Sequence, residues 1–282
     1  TNKNIEEIKK LDKKNVPALK LFLGSSTGNM LVDDQKVLKE IFENTNILIA
    51  VHSEDEKIIN NNLSKFKSKY GDNIPFDCHP KIRSEEACLE STKKIIALAK
   101  QTGARLHVFH LSTKSESLLF DNNIPLKQKK ITSEVCVHHL WFSDKDYEQK
   151  QSLIKWNPAI KSEDDREALW EALNNDRIDV IATDHAPHTI EEKSKSYLDC
   201  PSGGPLVQHG LVSMIQHYLN KKITLEKIIT KMCHNPADLF QIEKRGYIRK
   251  GYFADLVLID LDKPWKVEKK NILYKCNWSP FE

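Results

Sequence analysis

The sequence predicts an α/β fold of consecutive parallel βα units, followed by a small β-rich segment. Three observations carry that expectation. Short apolar runs bounded by turn residues alternate five times with stretches of helical period. The runs are apolar on both faces, as strands are when helices cover a parallel sheet. After Phe240 the chain changes to "GYIRKGYFADLVLIDLD", which is glycine-punctuated and strand-like with no helical period.

The elements follow in order. Residues 16–24 ("VPALKLFLG") read as a strand, and 33–44 as a helix with Asp33 as its N-cap. A second strand covers 46–54 and a helix runs on to about Tyr70. The next helix spans 84–103, opening at Ser84 ahead of two acids and stopping at Gly103. Strands at 105–112 and 131–139 flank a short helix after Ser112, and the helix at 162–175 precedes a fifth strand at 178–184. Two helices, 205–220 and 224–240, complete the series. We place an α/β domain at 1–241 and a fragment of a small β domain at 242–282. Five βα units do not close the common eight-stranded barrel, which leaves an open doubly wound sheet or the latter part of a barrel.

Bulk properties narrow the function. A net charge of +3 argues for neither nucleic acid nor an acidic membrane surface, and no window reaches the ~18 apolar residues of a membrane span. The six cysteines are scattered without a C-x-x-C pair, which suggests a reducing cytoplasm rather than a disulfide framework or a thiolate zinc site. No glycine-rich nucleotide-binding turn follows any strand. The chain opens on Thr1 and closes on "NWSPFE", so both ends look cut.

Chemistry concentrates where strands end. Lys20 lies in the first strand, while His52, His110 and Asp184 close the second, third and fifth. In a parallel sheet those ends share one rim, where βα loops build active sites. Two histidines and an acid suit zinc or a similar divalent ion. Each residue also has an ordinary reading: a hydrogen-bonded core histidine, a lysine reaching the rim, an acid capping a turn. All four arising independently at one rim is the harder account. A lysine buried among Ala18, Leu19, Leu21 and Phe22 tends to lose its proton, and a neutral amine can take up carbon dioxide as a metal-bridging carbamate. His107, three residues before His110, is expected on the opposite strand face in a structural role. His138 and His139 receive no metal role. Pro187 ends the strand signal in "DVIATDHAPHT", putting His185 and His188 in the loop beyond it.

The motifs "KLFLGSSTGNML", "AVHSEDE", "HVFHLSTKSE", "WNPAIKSEDDREALWEAL", "ATDHAPHTIEEK" and "PSGGPLVQHGL" resemble, in order, those of the dihydroorotases of the amidohydrolase superfamily. The resemblance runs from about residue 16 to 282, with "ATDHAPH" its most specific part. It implies a (β/α)₈ barrel of which this chain holds strands four to eight. It further implies a site for two zinc ions and the reversible cyclisation of N-carbamoyl-L-aspartate to L-dihydroorotate in pyrimidine synthesis. By motif, Lys20 matches the carboxylated bridging lysine, His52 and His110 the ligands of the second metal, and Asp184 a ligand of the first metal and the proton shuttle. Asn157, His188 and the backbone near Gly203 match substrate-binding groups. The family's H-x-H pair has no counterpart, since no histidine precedes His52. The expected partner is a small-molecule substrate, with a homodimer as the assembly to test. The rivals are a dihydropyrimidinase, an allantoinase, or a non-catalytic subunit supporting aspartate transcarbamoylase.

Overall fold

The computed structural model describes residues 4–12, 14–24, 30–32 and 34–282. Five strands, β1 (Ala18–Phe22), β2 (Leu48–His52), β3 (Leu106–Val108), β4 (Ile131–Cys136) and β5 (Val180–Ala182), form one parallel sheet in the order β1-β2-β3-β4-β5. Spatial order therefore equals chain order. A doubly wound sheet reverses its order at a switch point, and this sheet has none, which removes that alternative.

The helices between the strands are fixed by their ends. Asp34 accepts hydrogen bonds from the Lys36 and Val37 amides and caps Gln35–Asn44; the expected cap, Asp33, lies outside the described residues. Asp55 caps Glu56–Tyr70, and Ser84 caps Glu85–Thr102, which ends at Gly103 in the left-handed conformation (φ 71°). Ser162 and Asp165 form a reciprocal capping box on Glu163–Asn174.

The sheet has two unlike faces, where apolar packing on both was expected. Leu21, Ile49, Val51, Leu106, Val108, Val135 and Ile181 all enter the main hydrophobic core, which also takes in Leu38, Ile95 and Leu169 of the covering helices. Lys20, Ala50, His107 and Thr132 are aligned across four strands and so share the other face. The amino-terminal end of that inner face is apolar, with Ala18, Leu48 and Val180 packed on Leu239 and Phe240. Arg105 ties this floor down by donating to the Leu239 carbonyl (3.0 Å). Polar side chains thus gather at the opposite, carboxyl-terminal rim. A short run such as "LIAVH" cannot announce which alternate residues meet helices and which meet the inner space.

Residues 242–282 contain no strand, contrary to the strand-rich expectation for this segment. A strand exists only as one side of a hydrogen-bonded ladder, and nothing pairs with "ADLVLID". Leu258 is fully exposed and Val257 74% exposed. The last residues do dock: Trp278 is buried and donates to the His188 carbonyl (2.8 Å). Among the described residues, no helix is long and apolar enough to cross a membrane.

Candidate active site

The rim is built by chain reversals at the strand ends. His52 is the last residue of β2, aligned with Phe22 of β1, and so faces inward with Lys20. His110 lies two residues past β3. Strand alternation from inward-facing His107 would turn it toward the helices. A left-handed backbone (φ 37°) re-aims it instead, and His52 Nδ1 and His110 Nε2 lie 3.0 Å apart, both side chains buried. Asp184 is also left-handed (φ 47°). Such conformations cost about 1–3 kcal/mol in a non-glycine residue, and they cluster at functional sites.

A buried ion pair sets the tautomer of His52. Its Nε2 lies 2.8 Å from Glu54 Oε2, and Glu54 is also gripped by Arg83, whose Nε lies 3.0 Å from Oε1. Burial alone would raise the Glu54 carboxyl, but the Arg83 charge and the His52 hydrogen bond outweigh it and hold it well below the usual range. An ionised carboxylate only accepts, so His52 Nε2 carries a proton and donates it to Glu54, which turns Nδ1 toward His110. Burial, followed by the neighbouring His52, drives the His110 pKa well below its ordinary value, leaving a neutral imidazole. Two ring nitrogens at this spacing suit either one shared proton or one divalent cation.

Asp184 is raised above the normal aspartate value by burial; Lys20 opposes that shift, Glu134 adds to it, and His52 opposes it. Asp184 is thus coupled by charge to Lys20 and His52, and His110 is coupled to His52 and Lys20. Lys20 differs from expectation in one respect. It is exposed, not buried among aliphatics, because Leu19 and Leu21 point to the other face. Its ammonium stands over the rings of Phe22 (4.7 Å) and Phe109 (5.2 Å).

His107 is also corrected. It shares the inner face with Lys20 and bonds Thr132 Oγ1 (2.9 Å) and Glu134 Oε2 (3.1 Å). The role stays structural, but alternation from His110 gave the wrong face because the left-handed residue intervenes.

The proposed substrate groups sit in the loops above. His188 Nδ1 is 3.4 Å from Glu192 Oε2, and the His188 ring lies against Gly203, where an added Cβ would come within 3.3 Å of its Cδ2. Gly203 has φ +131°, and its amide donates to the Lys155 carbonyl (2.9 Å). The half-buried Asn157 leaves its Oδ1 without a hydrogen-bond partner. His185 Nδ1 accepts from the Leu206 and Val207 amides (3.0 and 3.2 Å), so it anchors the following loop. Sequence reasoning missed Glu54 and Arg83. The first had a visible signal, an acid two residues after the histidine in "AVHSEDE"; the second had none.

The amidohydrolase-family profile matches residues 32–279. The dihydroorotase of Halobacterium salinarum is 31% identical over 269 residues, covering 93% of this chain and 60% of the relative. The chain spans 55–60% of the length of three such curated relatives. Among solved structures, the L-hydantoinase (dihydropyrimidinase) of Arthrobacter aurescens aligns with a TM-score of 0.90 at 26% identity, covering 99% of this chain and 63% of that one. The inactive dihydroorotase-like domain of the Chaetomium thermophilum CAD-like multifunctional protein aligns at 0.59 and 20% identity, covering 100% and 66%, and shows a shared fold. With a profile match across most of its length and the same arrangement of parallel βα units as these structures, the chain belongs to the amidohydrolase family.

Proposed function

We propose that this chain is the larger part of a dihydroorotase, in which the five βα units form one arc of a (β/α)₈ barrel. In this reading the segment from Ile242 belongs to a small β domain whose ladder partners lie outside the described residues. The observation that carries the hydrolase reading is the pair of ring nitrogens, His52 Nδ1 and His110 Nε2, facing each other at the carboxyl rim. The substrate class comes from the curated dihydroorotase relatives.

The donor set fits a divalent ion, zinc by its imidazole content: His52 Nδ1 and His110 Nε2 would hold one, with Lys20, carboxylated by carbon dioxide, and Asp184 facing a second. Such ions supply a nucleophile at neutral pH and polarise the ring carbonyl. The remaining chemistry belongs to side chains. Asp184 takes the proton of the attacking water on its carboxylate and returns it to the ring nitrogen as the amide bond breaks. His188, with Nδ1 turned to Glu192, offers Nε2 to the substrate carboxylate, while Asn157 Oδ1 accepts a ring N–H and Gly203 backs the pocket. Glu54 and Arg83 keep the His52 lone pair aimed. The reaction excludes bulk water best when the loop carrying Gly203 lies over the ring.

The test is turnover by the full-length protein of L-dihydroorotate and N-carbamoyl-L-aspartate against hydantoin, dihydrouracil and allantoin. Preference for the carboxylate-bearing pair by at least tenfold in kcat/KM is expected. Preference for hydantoin or dihydrouracil would favour the second reading, a hydantoinase-type activity, which the 0.90 alignment supports. No turnover of any of them would favour a non-catalytic subunit.

A further inference from the structure

At the end of β4 lies a separate cluster of residue types able to ligate a metal: Cys136, His138 and His139. Cys136 ends the strand and Val137–Trp141 opens a helix, so the chain turns at once. In an uninterrupted strand His139 would face away from Cys136; the turn brings both, with His138, into one buried group whose ligand atoms all lie within 4.8 Å of one another. His139 Nε2 is 3.2 Å from the Pro158 carbonyl oxygen. A carbonyl only accepts, so Nε2 bears the hydrogen and Nδ1 is a bare lone pair. That Nδ1 has no hydrogen-bond partner, and neither ring nitrogen of His138 has one. The His138 ring is held flat on Trp156, with centroids 4.4 Å apart.

Buried polar atoms are nearly always paired, because one taken out of water without a partner loses its hydrogen bonds uncompensated. Three such nitrogens beside a buried thiol therefore call for a ligand. We propose that Cys136 Sγ, His139 Nδ1 and one ring nitrogen of His138 bind a single zinc-class divalent ion. One thiolate and two imidazoles match zinc's borderline softness, and three protein ligands leave a fourth position open. The Pro158 carbonyl orients His139 as outer-shell acceptors do at metal sites. Binding replaces the Cys136 S–H bond by a sulfur–metal bond, and the proton leaves to solvent. The set shares no residue with Lys20, His52, His110 and Asp184, and it stands whether or not the dihydroorotase reading holds.

The test is Co²⁺ and Zn²⁺ titration of the full-length protein carrying His52→Ala and His110→Ala, with and without Cys136→Ser. The double variant should retain an equivalent of Co²⁺ marked by a thiolate-to-cobalt charge-transfer band, whatever else is bound beside Lys20 and Asp184. Cys136→Ser should abolish the band and that equivalent. X-ray absorption of the zinc form should show one sulfur at ~2.3 Å and nitrogen at ~2.0–2.1 Å. If circular dichroism shows that Cys136→Ser does not fold, His138→Gln in the same background should weaken binding at least tenfold. Absence of the band, a band that survives Cys136→Ser, or affinity unchanged by His138→Gln in a folded protein would each overturn the site.

Discussion

His52 and His110 face one another across 3.0 Å although strand alternation sends their side chains to opposite faces of the sheet. The left-handed residue at 110 reconciles the two, so local strain is used to converge the rim. What this pair does chemically depends on Asp184, Lys20 and the buried acid behind His52.

Asp184→Asn should leave the fold intact by near-ultraviolet circular dichroism and lower kcat by about 10²–10⁴-fold, the usual contribution of positioned acid–base catalysis. Turnover within tenfold of wild type, measured on purified full-length protein, would remove Asp184 from the proton path.

Lys20→Ala should lower both metal content and activity, with partial recovery in short carboxylic acids that replace the carbamate. Elemental analysis finding undiminished zinc would refute the ligand role.

Glu54→Gln should destabilise the protein by about 3–5 kcal/mol, since it strands the Arg83 charge in the interior. It should also blunt acid sensitivity. The folded-state pKa of Glu54 lies below its ordinary 4.5, so its stabilisation is full above that value and is lost as pH falls beneath it. Urea midpoints at pH 7, 5 and 3 measure this. Equal loss between pH 5 and 3 in both proteins would disprove the linkage.

Gly203→Ala should raise KM at least several-fold with a smaller effect on kcat. Its φ of +131° disfavours any side chain, and an added Cβ would meet the Ala186 carbonyl oxygen at 2.6 Å and press on His188. Steady-state kinetics with L-dihydroorotate decides it, and an unchanged KM would place the loop away from substrate.

The sequence by itself determined the succession of βα units and the helix starts at Ser84 and Ser162, because hydrophobic period and capping are local properties; it also nominated Lys20, His52, His110 and Asp184. It also carried the family resemblance, since "ATDHAPH" is a local string. Tertiary structure alone decided three other matters. Which strand face meets helices depends on register between strands, so Lys20 came out exposed and His107 inward. A left-handed turn at His110 leaves no trace in residue type. The Glu54–Arg83 pair, like the meeting of Cys136 with His138 and His139, arises only when segments pack or turn. Strands in 253–260 failed for the same reason from the other side: β-structure is a property of pairs, and an apolar run without a partner remains extended chain.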